Sequence, residues 1–154
     1  MDGGLHALMS RLVGTWRTQG RMVEDGRMWA GFDIYEWFPG QRQLVHRVDV
    51  QIFGGRKEAM EFLTPREGSP DTFDQISFDA DGTVERSVGY FDPDGRYHNE
   101  TAGARALATF DGPELISARW EQQGTDGSWS HWMAVRFTRI GAPNIEVRTK
   151  ERHV

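Results

Sequence analysis

The chain has 154 residues, 38% hydrophobic and 27% charged, with no cysteine and a formal net charge of −5; that length suits one core and predicts a single domain over residues 1–154. The acidic balance, with arginines scattered among acids, excludes nucleic acid as an expected partner, since phosphate binding needs clustered Lys and Arg. Without cysteine there are no disulfides, thiolate nucleophiles or Cys-held zinc; no apolar run approaches the ~20 residues that span a bilayer, and Met1 to Gly4 lack signal-peptide order, so the expectation is a cytoplasmic protein with no membrane partner.

Leu5, Leu8, Met9, Leu12 and Val13 fall at helical spacing and predict a short amphipathic helix over 4–12, stopped by Gly14. Gly14-Thr15-Trp16 comes next. A glycine there lets the chain bend inward, and an indole can close the wide apolar gap at the end of a β-barrel. The pattern then changes to short β-like runs separated by turn pairs such as Pro39-Gly40, Gly54-Gly55, Asp81-Gly82, Asp94-Gly95, Asp111-Gly112 and Asp126-Gly127. Strands are predicted near 15–23, 31–38, 42–52, 57–63, 72–78, 83–91, 95–101, 104–110, 114–123 and 129–140. So many strands without crossover helices must stack or close on themselves. One helix ahead of the first strand favours an all-β, up-and-down antiparallel barrel of about ten strands. Residues 64–71, with Pro65, Gly68, Ser69 and Pro70, form the longest loop and are expected to border the barrel mouth.

Residues two apart on a strand share a face, so the greasier face of each strand is the expected interior. These faces read Phe32, Ile34, Glu36, Phe38 on the second strand and Leu44, His46, Val48, Val50, Ile52 on the third. On the last strand the face reads Trp129, His131, Met133, Val135, Phe137, Arg139. Glu36, His46, His131 and Arg139 are then polar groups on an apolar wall and need a partner or a ligand. An even-register hairpin at Pro39-Gly40 would put Glu36 and His46 on one face. A carboxylate beside an imidazole can hold a proton near neutral pH, which makes them the candidate acid–base pair of a barrel isomerase, cyclase or hydrolase. The other reading is a binding protein that holds a small apolar or amphipathic molecule. Its candidate lining is Ile34, Glu36, His46, Val48, Met60, Phe62, Tyr90, Trp120, His131 and Met133. The outward aromatics Tyr35, Trp37 and Trp132 would suit a homodimer contact. No two histidines sit at the close spacing of a zinc site, so no metal is expected.

Leu12-Val13-Gly14-Thr15-Trp16, Tyr35-Glu36-Trp37 ahead of Pro39-Gly40, Leu44 to Asp49, and Trp129 to Arg139 closing on Phe137-Thr138-Arg139 occur in an order that spans nearly the whole chain. That order resembles the uncharacterised bacterial lipocalin-like proteins related to the calycin and nitrobindin barrels. The resemblance implies a lipocalin-like barrel in which Trp16 packs inside one end with Arg139 stacked across it, both structural. Nitrobindin-like relatives bind haem through a histidine near the final strand, which makes haem the minor alternative, with His131 or His46 as its ligand. No other cofactor is expected.

Overall fold

The computed structural model describes residues 3–145. A helix, α1 (Gly3–Ser10), precedes β1 (Gly14–Met22), β2 (Met28–Trp37), β3 (Leu44–Ile52), β4 (Gly55–Pro65) and β5 (Thr72–Asp79). There follow β6 (Val84–Phe91), β7 (Tyr97–Thr101), β8 (Ala104–Phe110), β9 (Leu115–Gln123) and β10 (Trp129–Gly141). Each strand pairs antiparallel with its sequence neighbours and β1 closes onto β10, giving a ten-stranded up-and-down barrel of lipocalin-like form. Closure leaves no unpaired edge strand. Among the described residues no helix is long and apolar enough to cross a membrane.

The helix is shorter than its sequence spacing predicts. It ends at Ser10, and a turn carried by Arg11 N–H to Leu8 O (3.2 Å) and Leu12 N–H to Met9 O (3.0 Å) brings the chain round into β1. Leu5, Met9 and Leu12 are nonetheless fully buried, because α1 lies across one end of the barrel with this stripe facing in. Beneath it sit Trp16, Leu44, Leu63 and Phe73, each at most 1% exposed, and Phe91 and Tyr97. Burying such side chains completely contributes about 1.5–3 kcal/mol apiece. The core thus lies at the helix end, and the opposite end is left free for a cavity.

The plug at that end is built from Trp16 and Arg139. Trp16 Nε1 donates to Leu12 O at 2.7 Å, while the Arg139 guanidinium lies 4.3 Å from the Trp16 ring centroid. The guanidinium also donates to the carbonyls of Pro113 (3.0 Å), Arg11 (3.1 Å) and Val13, so it ties the helix exit and the β8–β9 turn to β10. Gly14 sits at φ +148°, and a Cβ there would overlap the Arg139 guanidinium. Glycine is needed at that site both for its backbone angle and for the space above it.

Strand direction fixes which loops are at which end. β1 runs away from the helix and each even-numbered strand returns, so the β4–β5 connection lies at the helix end. The expectation that residues 64–71 border the mouth is therefore corrected: β4 continues through Pro65, and the remaining loop closes by Arg66 N–H to Thr72 O at the plugged end. The mouth is framed instead by the tight turns that follow the odd-numbered strands.

Candidate functional site

The barrel encloses a cavity of about 510 Å³, within the usual size of a small-molecule site. Trp16 and Leu12 form its floor, and Trp29, Lys57, Glu85 and Trp132, all near the open ends of their strands, surround its mouth. Its two sides differ in chemistry. On β8 the inward positions are Ala104, Ala106 and Ala108 and on β9 Ile116, Ala118 and Trp120, with Ala108 directly opposite Ala118. Methyl groups at successive inward positions leave a shallow apolar wall, continued on β10 by Met133, Val135 and Phe137.

The facing side carries a hydrogen-bonded belt to which β1, β2, β3, β4, β5 and β7 each contribute. Thr18 Oγ1 donates to Asp33 Oδ2. His46 donates from Nε2 to Asp33 Oδ1 at 2.6 Å and from Nδ1 to Glu61 Oε1 at 3.0 Å. Gln75 Nε2 also donates to Glu61 Oε1 (3.0 Å), Tyr97 OH donates to Gln75 Oε1 (3.0 Å), and Asn99 Nδ2 donates to Tyr97 OH (3.4 Å). Between β5 and β7, β6 supplies Gly89, where any Cβ would press on Phe73 and on Gln75 Oε1. A side chain at that point would break the belt.

His46 is the centre of this arrangement. Its burial disfavours the charged ring, but the hydrogen bonds to Asp33 and Glu61 outweigh that cost and raise its pKa to about 9. With both ring nitrogens donating, it is an imidazolium at neutral pH. The Tyr35 ring stacks on it at 3.9 Å with planes 9° apart, adding a cation–π contact. Burial pushes the Tyr35 and Tyr97 phenols well above the usual range, so both stay neutral hydrogen-bonding groups. The Tyr35 hydroxyl has no hydrogen-bond partner among the described residues. Nor does any set of three His, Asp or Glu there converge as metal ligands would.

Of the residues expected to line the interior, His46, Val48, Trp120 and Met133 do so. Ile34, Glu36, Met60, Phe62, Tyr90 and His131 are not on the cavity wall. On β2 the register pairs Tyr35 with His46 and Glu36 with Val45, so the inward positions are Trp29, Asp33 and Tyr35. Ile34 and Glu36 point outward, and Glu36 Oε2 accepts the Ile145 N–H at 3.3 Å. The Glu36–His46 acid–base pair is therefore not assembled, because the wall of the barrel separates its members. The partner of His46 is Asp33, and an imidazolium held by two carboxylates is no general base near neutrality.

The remaining displacements have equally local causes. Ala59 and Glu61 face in on β4, which turns Met60 and Phe62 outward, where Phe62 meets Phe38 edge-on at 6.2 Å. On β6 the inward residues are Glu85 and Ser87; Tyr90 stacks on His98 at 4.5 Å and reaches Glu100. A bulge at Trp132 shifts the register of β10, pairing His131 with Glu121 but Met133 with Trp120. It brings Trp132 to the cavity and takes His131 off the cavity wall, with its Nε2 buried and without a partner among the described residues. The aromatic face considered for a homodimer is also absent: Tyr35 is 8% exposed, Trp132 lines the cavity, and Trp37 stacks on His6 at 4.4 Å and donates to Ser10 Oγ at 3.2 Å.

These positions also bear on haem. Both His46 nitrogens are engaged by carboxylates and His131 is not among the residues lining the cavity, so no imidazole among the described residues offers a free nitrogen to it. A His-ligated haem does not fit this site.

No protein-family model and no curated protein matches the chain. Solved structures do. Rv2717c from M. tuberculosis shares 15% identity at a TM-score of 0.63, over 90% of this chain and 98% of that one. The S-type phycobiliprotein lyase CPES from Guillardia theta shares 11% at a TM-score of 0.57, over 90% and 93%. EF1p2_mFAP2b, in a structure bound to DFHBI, shares 16% at a TM-score of 0.50, over 88% and 99%. At these identities the likeness is one of fold.

Proposed function

We propose that the protein binds a small apolar or amphipathic molecule inside the barrel, with the apolar body against the alanine wall and the polar end at the belt. The observation that carries this is the two-sided cavity: about 510 Å³ enclosed between alanine methyls and a line of buried hydrogen-bonding groups. A core evolved only for stability would fill that space, since voids of this size forfeit packing. EF1p2_mFAP2b, of the same fold, carries a bound small molecule, DFHBI, in its structure. The kinship with bacterial calycin and nitrobindin barrels belongs to the same proposal, supported by the order of motifs from Gly14-Thr15-Trp16 to Arg139.

Trp16, Trp29, Trp120 and Trp132 line the cavity and would report an occupant directly. Titration with N-phenyl-1-naphthylamine is expected to quench their emission saturably with one site per chain. Purely linear quenching, with no rise in the unfolding temperature, would remove the container reading.

A further inference from the structure

The belt does not use all of its own hydrogen-bonding capacity. Both oxygens of Asp33 and Oε1 of Glu61 are consumed internally. The hydrogen bonds of Glu61 among the described residues use Oε1 and leave Oε2 open, and Asn99 Oδ1 is buried without a partner. Both residues line the cavity. Two unpaired acceptors on one wall call for donors, and a carboxylate ligand has none to give.

Charge points the same way. One imidazolium between two carboxylates leaves the centre of the belt with one negative charge. Lys57, the cavity's cation at the mouth, stands four residues from Glu61 along β4, ~13 Å at strand rise, and faces Asp79 at 3.8 Å. An anion seated at the belt would therefore meet excess negative charge in a poorly hydrated site. The opposite wall selects shape. Ala106, Ala108 and Ala118 form a low surface, and Trp120 and Trp132 stand at 88° to each other at 6.5 Å, presenting an edge and a face to whatever lies between mouth and floor. Flat rings gain most from such surroundings.

Resting on the container reading, we propose that the ligand class is a planar aromatic molecule bearing a positively charged, N–H-donating nitrogen at one end, bound by Glu61 Oε2 and Asn99 Oδ1, with aromatic carboxylates rejected. Near the mouth the buried Trp29 Nε1 has no acceptor, so an acceptor at the far end of the ligand completes the match.

The test is calorimetric titration of the wild-type protein at pH 7 with three probes of one shape: 1-naphthylmethylamine, 1-naphthylmethanol and 1-naphthoic acid. The amine should bind about tenfold more tightly than the alcohol, as one charge-assisted hydrogen bond provides, and the acid more weakly than either. In Glu61→Gln the amine-to-alcohol affinity ratio should fall from about tenfold to less than about threefold, whatever the change common to both probes. The acid equalling the amine, all three binding alike, or an amine preference untouched by Glu61→Gln would each overturn the ligand class and leave the container standing. Binding of none of the three would overturn both. The wild-type rank order needs no variant, so an unfolded Glu61→Gln protein does not shelter the proposal.

Discussion

His46 makes the stability of the barrel depend on pH in a direction opposite to that of an ordinary paired carboxylate. Its pKa rises from 6.5 to about 9 on folding, with burial opposing and the hydrogen bonds to Asp33 and Glu61 prevailing. Between those values the folded state binds more protons than the unfolded one. The contribution is therefore fully present below pH 6.5 and is lost as pH rises through 9, at up to ~1.4 kcal/mol per pH unit and about 3 kcal/mol in all. Urea denaturation of wild type and His46→Gln at half-unit steps from pH 5.5 to 10 would isolate it, since other titrating groups cancel in the difference. The wild-type advantage should be flat to about pH 6.5 and shrink steadily above it. Parallel profiles across that window, or an advantage that grows with pH, would refute the imidazolium at the centre of the belt.

Gly14→Ala places a Cβ against the Arg139 guanidinium at a backbone angle that favours glycine, so it should cost about 2 kcal/mol or more in chemical denaturation. Arg139→Leu removes three carbonyl contacts and the stack on Trp16, and should cost about 2–4 kcal/mol. Ala118→Phe should put a ring into the apolar side of the cavity and weaken probe binding at least about tenfold while far-UV circular dichroism stays that of the barrel. Glu36→Gln, on the outer face, should leave calorimetric affinities within about twofold, whereas Asp33→Asn should lower the His46 pKa measured by NMR titration, because one of its two supporting carboxylates is lost.

The barrel was legible in the sequence because its signals are local. Turn pairs mark most of the hairpin connections, and the absence of crossover helices leaves closure as one of two outcomes. The faces were harder, for a reason that lies in the cavity itself. Hydrophobic alternation identifies an interior that is apolar, but between β1 and β7 this interior is a polar belt. The greasier residues Phe32, Ile34, Met60 and Phe62 were thus free to lie outside. On β3 both criteria agreed, and His46 and Val48 face in. On β2 the turn holding Gly40 and Gln41 at positive φ set the opposite parity, which no composition rule records. The bulge at Trp132 did the same to His131. Asp33, Glu61 and Asn99 were accessible only through pairing to His46 or its neighbours. The run Ala104, Ala106, Ala108 was the one direct mark of empty space, since alternating alanines leave a strand's inner face unfilled.

The most direct test of an occupied barrel is an intermolecular NOE spectrum of protein carrying ¹³C-methyl Met and Ala with 1-naphthylmethylamine. Met133 lies on the inner wall and Met60 outside it, so the two methyls report the two faces independently. Cross-peaks from the naphthalene protons to Met133, Ala106 and Ala118, with none to Met60, are the predicted result. Contacts confined to Met60 and the exposed Met28, with the alanine methyls silent, would contradict it.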